Sequence, residues 1–581
     1  MLKLLRFLKP YWWQIIFLLL TLFGQVHCSL KLPALMADII NNGVTAGDQN
    51  YILSTGLLML VYALLSSVFA VVTHFFSARV GAAYSRDLRE EFYKKVLSLS
   101  ISEIDDFSTA SLITRTTNDI GQVQQAVMMM LTMMLRAPLM GIGAIFQAYQ
   151  TAPDMTWTIA AGVGTIVFFS IIILGLALPK FKIYQQLFDK ITLIARENLT
   201  GLRVIRAFNN EKHEQEKFNH ANGELTKVGL FIDKVFALQD PLISLIFNGV
   251  TLLVVWISIN RFATDLSYVG NMVAFVQYAS QVLISFLILT MLLVVLPRAN
   301  VSAGRINEVL NAKPKIHWKP KTAGAPAKTP SVEFRNVDFI YSGAEENVLK
   351  NITFKAVTGE TTAFIGSTGS GKSTLISLVP RFYEASSGEI LINGLDIKNY
   401  SEDDLMRRIG YVPQRGILFS GTVKENIAFG NPDATDKEVH RSARIAEAEG
   451  FVERLTDKYD SHIAEKGTNV SGGQKQRLSI ARALAKHPEI YIFDDSFSAL
   501  DMKTDKKLRE SLREETKDSV VLIVAQRINT IKDAEQIIVL DQGKIVGRGR
   551  HLDLLKSCPT YREIVKSQFS DAEFKKEMSN A

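Results

Sequence analysis

The chain has 581 residues, a mean hydropathy of +0.13, 48% hydrophobic and 21% charged residues, which makes it too long for one ordinary domain and too apolar for a disordered one. Its net charge of +7 does not imply nucleic acid, because many Lys and Arg residues flank apolar runs, the ordinary membrane arrangement. The two cysteines, Cys28 and Cys558, fall in an apolar span and in the polar half, so they frame no disulfide scaffold; no Cys/His spacing matches a metal site, and His27 and His74 read as packing or pore-lining residues.

The N-terminal MLKLLRFLKPYWW sets Leu2, Leu5, Phe7 and Leu8 around Lys3, Arg6 and Lys9 and ends on Trp12 and Trp13. This is the pattern of an amphipathic elbow on the cytoplasmic membrane face. The apolar run that follows reads as a span rather than a signal peptide, because it is long, lacks a small-residue cleavage pattern and is followed by more spans. About 20 apolar residues cross roughly 30 Å of hydrocarbon. Six such segments fall near 13–32, 54–76, 133–150, 156–178, 242–262 and 273–296. Arg136 inside the third reads as a cation snorkelling to the cytoplasmic end, with a cavity contact as the alternative. Met128, Met129, Met130, Met133 and Met134 read as helix packing, with an adaptable substrate cavity as the alternative.

The connections after spans one, three and five are shorter and poor in cations, whereas those after two and four are long and basic. Arg79, Arg86, Arg89, Lys94, Lys95 and Arg115 mark the first long loop; Lys180, Lys182, Lys190, Arg196, Arg203 and Arg206 begin the second. The positive-inside rule makes both loops and both termini cytoplasmic. Within them, 102–114 (SEIDDFSTASLIT) and 199–208 (LTGLRVIRAF) are short amphipathic segments suited to docking in a groove. Residues 311–331, rich in Pro, Lys, Ala and Thr, read as a linker.

A strand-like run at 361–365 leads into GSTGSGKST, that is Gly366, Ser367, Thr368, Gly369, Ser370, Gly371, Lys372, Ser373 and Thr374. This matches G-x-x-x-x-G-K-[ST] after a strand. The glycines let the loop wrap phosphates, Lys372 reaches the β- and γ-phosphates, and Ser373 offers a hydroxyl to Mg2+. A helical region is expected around 424–455. Ser471, Gly472, Gly473 and Gln474 then spell SGGQ, small residues that open a helix to an anion. The run Ile490, Tyr491, Ile492, Phe493 ends in Asp494 and reads as a buried strand delivering a carboxylate to Mg2+. The tail after about 569 is charged and is expected to be loosely ordered.

These motifs together resemble the ATP-binding cassette (ABC) family, exporter type, over nearly the whole chain. The resemblance implies an all-α six-span transmembrane domain (1–310), a linker (311–331), an α/β P-loop ATPase domain with a helical subdomain (332–569) and a polar tail (570–581). It also implies ATP and Mg2+ as cofactors. Tyr341 would stack on adenine; Gln414 would be the Q-loop glutamine and, with Ser373 and Asp494, hold the metal. VSGGQ, with Val470 where Leu is usual, would face a partner's ATP; Ser498 to Asp501 (SALD) would form the D-loop; Glu465 would contact membrane-domain loops. The segments at 102–114 and 199–208 resemble coupling helices.

Two departures stand out. Asp495 occupies the position where the family has the glutamate that polarises water, and Gln526 the position of the switch histidine. Asp is shorter than Glu by one C–C bond, about 1.5 Å. A misplacement near 1 Å costs roughly 100-fold, and lost general-base assistance about 100- to 10,000-fold. The resemblance therefore implies a site that binds ATP well and hydrolyses it poorly, in a heterodimer with a second half-transporter carrying Glu and His there. That assembly would export hydrophobic or amphipathic compounds, including drugs, across a bacterial cell membrane, with lipid as surroundings and no nucleic-acid partner. The alternatives are an ATP-binding regulatory or channel-like subunit, or a homodimeric lipid or peptide exporter.

Overall fold

The computed structural model describes residues 1–262, 268–324 and 326–580. The chain divides into two compact units: Met1–Leu97 with Ala110–Ala312, and Ser98–Thr109 with Lys313–Ala581.

The first unit is helical. Among the described residues, six helices of 43 to 49 residues are long and apolar enough to cross a membrane. At about 1.5 Å per residue they run some 65 to 75 Å, twice a hydrocarbon core of roughly 30 Å. The expected spans are therefore the apolar centres of longer helices; the side chains that end the fifth span lie outside the described residues. Small residues allow close helix approach. On the Met133–Thr151 helix, Ala137, Gly141, Ala144 and Ala148 are buried at spacings of three or four, a face that meets the Tyr268–Asn311 helix. A Cβ added at Gly141 would sit 3.4 Å from the Ser285 Cβ. Hydroxyls find partners across helices, Thr21 with Thr73 at 2.9 Å and Tyr278 donating to the Leu30 carbonyl at 3.0 Å, which avoids the cost of an unpaired polar group in an apolar setting. Within the methionine cluster, Met128 lies over Gly81, where a Cβ would fall 2.5 Å from its Cγ. That contact makes Met128 a packing residue.

The second unit contains β1 (Ser331–Phe339), β2 (Leu349–Val357), β3 (Thr361–Gly366), β4 (Ser387–Ile392), β5 (Leu395–Asp396), β6 (Ile409–Val412), β7 (Gly421–Thr422), β8 (His462–Ile463), β9 (Ile490–Asp494), β10 (Val520–Val524), β11 (Gln536–Asp541) and β12 (Lys544–Gly549). The larger sheet has the order β12-β11-β3-β10-β9-β6 and is parallel except for β12; the smaller runs β2-β1-β4-β5 and is antiparallel. Strand alternation splits the apolar side chains between two cores. Tyr491, Phe493, Val521 and Ile523 enter one, and Ile490, Ile492, Val520, Leu522 and Val524 enter the other. Central strands covered on both faces read as continuous apolar runs for this reason. The helical region contains Val423–Ala428, Asp436–Ile445 and Glu449–Val452.

The tail departs from the expectation of loose order. Asp571–Asn580 is a helix whose Phe574 and Met578, one turn apart, pack on the core below. Ser570 and Glu573 close its first turn reciprocally: the Ser570 N–H donates to the Glu573 carboxylate at 3.0 Å and the Glu573 N–H to the Ser570 hydroxyl at 3.4 Å. Glu577 approaches the buried His551 at 3.6 Å from Nε2, while Nδ1 pairs with the Tyr561 hydroxyl at 2.7 Å. Burial pushes the His551 imidazole down from 6.5; Glu577 and Asp533 oppose this and Lys532 adds to it. The unfolded chain therefore binds this proton more readily, so stability present at neutral pH is lost as the pH falls below about 6.5. We expect the melting temperature of the intact chain to drop on acidification, and His551→Gln to flatten that dependence; an unchanged pH profile in the variant would contradict the assignment.

Candidate nucleotide site

Four parallel strands hand over chemistry at their carboxyl ends. The phosphate loop, residues 366–374, follows β3, Gln414 lies just past β6, Asp494 ends β9 and Gln526 lies just past β10. Register places these ends level, with Val524 opposite both Asp494 and Phe364 and Val412 opposite Phe493. In open α/β sheets the ligand crevice lies outside such strand ends.

The loop is built for close backbone approach. Gly371 has φ +95° and a Cβ there would fall 2.7 Å from Leu349 Cδ2; at Gly366 a Cβ would strike the Leu540 carbonyl at 2.0 Å. Gly369 has φ +84°, and a Cβ there would meet nothing within 4 Å, so this glycine serves the turn and leaves the concave side open. Lys372 Nζ donates to the Gly366 and Ser367 carbonyls at 2.9 and 2.7 Å, which holds the ammonium at the loop. Burial lowers its pKa, against the pull of Asp495 and Asp494.

Ser373 donates to Asp494 Oδ1 at 2.9 Å. Asp494 and Asp495 are 5% and 7% exposed, and burial pushes both carboxyls above the usual carboxylate range. Two adjacent buried carboxylates facing one lysine are short of positive charge, and a hard divalent cation with oxygen ligands fits that donor set. Asp495 occupies left-handed backbone at φ +46°, a region that Asp tolerates better than most residues. Its Oδ2 accepts from Gln526 Nε2 at 3.0 Å and from Gln414 Nε2 at 3.3 Å. Gln414 therefore turns its amide nitrogen to Asp495, while Ser373 and Asp494 pair with each other.

Tyr341 pairs its hydroxyl with Thr374 at 2.9 Å and meets Phe339 and Tyr383 edge-on. Ser471 and Gln474 form a capping box on the Gly472–Ala485 helix: the Ser471 N–H donates to Gln474 Oε1 at 2.8 Å and the Gln474 N–H to the Ser471 hydroxyl at 3.3 Å. Gly473 lies beside the D-loop, where a Cβ would fall 3.1 Å from the Ala499 carbonyl, whereas a Cβ at Gly472 would meet nothing within 4 Å. Among the described residues, no hydrogen bond joins 471–474 to the phosphate loop. Asp501 caps the Met502–Glu515 helix, accepting from the Thr504 N–H at 3.0 Å, and Glu465 is exposed.

The two loop segments differ. Ser98–Thr109 belongs to the second unit: Tyr383 donates to Asp105 at 3.2 Å, and Lys315 Nζ to Asp106 and Ser102 at 3.2 and 3.1 Å. The Leu202–Ala207 helix buries no side chain, and Val204 and Phe208 are 60% and 79% exposed.

Sequence reasoning overlooked three residues. Gln476, 2% exposed, donates to the Gln414 carbonyl at 2.8 Å and accepts from the Gly416 N–H at 3.2 Å. Arg527 donates to the Ser498 carbonyl at 3.1 Å, tying the Gln526 segment to the D-loop, and Gln568 touches the same segment. No local pattern announces these long-range contacts.

The fold and the strand-end crevice define a membrane-spanning P-loop ATPase. The chain matches the ABC transporter transmembrane region over residues 15–286 and the ABC transporter model over 349–498. It is 39% identical to an uncharacterized ABC transporter ATP-binding protein of Mycobacterium tuberculosis over 97% of each chain. It is 31% identical to a putative multidrug export ATP-binding/permease protein of Bacillus subtilis, covering 97% of this chain and 98% of that one. A bacterial Atm1-family ABC exporter with ATP bound shares the fold, with a TM-score of 0.80 at 24% identity over 96% of this chain and 98% of that one. The chain belongs to the ABC transporter family. It is a multi-pass membrane protein, and its ABC ATPase domain implies ATP hydrolysis coupled to transport.

Proposed function

We propose that this chain is one half of a heterodimeric ATP-driven exporter, holding one ATP that turns over slowly and completing a faster site on a second, non-identical half. The observation that carries this reading is the pairing of Asp495 with Gln526 at 3.0 Å. Gln526 has an amide that donates to the carboxylate but cannot take up or release a proton near neutral pH as an imidazole does. Burial raises the Asp495 pKa, which favours proton acceptance; reach, rather than basicity, limits this base.

Lys372 and the loop amides would grip the phosphates, Tyr341 would lie against adenine, and Ser373, Asp494 and Gln414 would hold Mg2+. That ion supplies charge neutralisation on the β- and γ-phosphates. The Gly472 and Gly473 amides, which lie outside the capping box, would meet ATP held by a partner's loop, with Gly472 unconstrained by its own chain. In the same reading the exposed tip at 204–208 docks on the partner's cassette, and Ser98–Thr109 carries motion to this chain's own. ATP-driven closure shifts the cavity between two access states, and hydrolysis at the partner's site resets it.

Export as the direction is supported by the relatives named for export in Bacillus subtilis and Rickettsia felis, the latter 30% identical over 98% of this chain, and the multidrug name of the former supports drugs as cargo, which we take to be hydrophobic or amphipathic compounds. Both termini would be cytoplasmic, on the side of the basic loops. The test is to isolate the tagged chain from its native membrane and sequence what accompanies it. A second ABC half with Glu at the position of Asp495 and His at that of Gln526 is expected; recovery of self-dimers alone overturns the reading.

A further inference from the structure

The segment that carries Gln526 makes its last sheet bond at Ala525, whose N–H donates to the Phe364 carbonyl of β3 at 3.2 Å, yet the backbone beyond is paired. Gln568, the last residue of the Pro559–Gln568 helix, donates from Nε2 to the Gln526 carbonyl at 2.7 Å and accepts the Ile528 N–H on Oε1 at 2.8 Å. Both ends of the amide are used, so its orientation is fixed, because exchanging N and O would set donor against donor and acceptor against acceptor. A carbonyl at one residue and an N–H two residues on are what a neighbouring strand would pair with. Gln568 supplies that rung for the residues past the last sheet bond.

The helix that holds Gln568 is firmly seated. Tyr561 and Val565, one turn apart on its inner face, are both 0% exposed, and a Pro at its start fixes the entry. On the opposite side Arg527 donates to the Ser498 carbonyl at 3.1 Å, and the Ser498 hydroxyl donates to the Asp495 carbonyl at 2.8 Å. The front of the segment is the Gln526 amide on Asp495 Oδ2 at 3.0 Å. With the Ala525 bond to β3 just before it, these contacts set where the Gln526 side chain stands, and among them Gln568 lies outside the motifs of the nucleotide site.

We infer that Gln568 is a positioning residue for the switch position, setting the reach of the Gln526 side chain toward Asp495 and hence the rate at which ATP bound to this chain is cleaved. It acts through Gln526 and is not a catalytic residue. The inference rests on the reading of Asp495 and Gln526 as the groups that face the reacting phosphate, and not on the slowness of the site. A displacement near 1 Å costs roughly 100-fold. Losing the Gln568 support alone shifts the side chain by less than that and is expected to cost about tenfold.

The test uses the full-length chain in lipid nanodiscs and follows single-turnover cleavage of bound ATP, which reads a slow site as readily as a fast one. Gln568→Leu is expected to lower the cleavage rate about tenfold, to leave ATP affinity unchanged, and to speed hydrogen exchange of the Ile528 amide. Gln568→Glu keeps the acceptor for the Ile528 N–H but sets a carboxylate oxygen against the Gln526 carbonyl; it is expected to cleave at least as slowly as Gln568→Leu while the Ile528 amide stays protected from exchange. An unchanged cleavage rate in Gln568→Leu overturns the inference, as does a loss of rate matched by an equal loss of ATP affinity or melting temperature, which marks a purely structural tie. A wild-type chain that turns over rapidly by itself contradicts the proposed slow site, yet the ratio of variant to wild type still decides the role of Gln568.

Discussion

Replacing Asp495 by Glu and Gln526 by His together raises the ATPase rate of the purified chain by on the order of 100- to 10,000-fold, the range spanned by general-base assistance. Glu restores about 1.5 Å of reach, and His returns a group able to carry a proton and a charge. In free energy the gain is about 2.7 to 5.4 kcal/mol. The change at 495 also costs some stability, because the residue sits at φ +46°, a left-handed region that Asp tolerates better than Glu. The two are exchanged together because they stand in direct contact at 3.0 Å, so a longer side chain at 495 needs a matching partner at 526 and the two effects do not add. Phosphate release measures the result. A double variant no faster than wild type would mean that reach and switch chemistry are not what limits this site.

The second large effect concerns the site this chain completes. Gly472→Asp is expected to lower turnover of the two-subunit complex by about 100-fold or more, by placing a like charge where an anion would be stabilised, while ATP still binds at this chain's own Lys372. The substitution is structurally mild: a Cβ at Gly472 meets nothing within 4 Å, and an acid in the first helical turn favours the helix dipole. The comparison is complex turnover beside nucleotide retained by this chain. Turnover that survives the change contradicts the assignment of SGGQ to the partner's ATP.

The phosphate loop, the SGGQ stretch and the Asp-terminated strand were legible because each depends on a few residues at fixed spacing. The fold class was legible because strand runs such as 490–494 are continuously apolar and the spans are long. The bounds of the polar extensions of the membrane helices were not, since hydropathy sees only their apolar centres. The C-terminal helix was misjudged on composition: its charge obscured the cap formed by Ser570 and Glu573 and the stripe formed by Phe574 and Met578, both of which stand in the sequence. Gln476 and Gln568 could not have been found, because a glutamine's worth here is set by backbone brought from 62 and 42 residues away. The differing surroundings of the two loop segments were equally hidden, since both read as short amphipathic helices.

The most direct measurement of the central claim is the steady-state ATPase rate of the purified wild-type chain alone in lipid nanodiscs, with ATP binding confirmed on the same sample. The account predicts an ATP-loaded chain that is nearly inert. Turnover at the rates of a working transporter, without any partner, would contradict it and make Asp495 an adequate base in a self-sufficient homodimer.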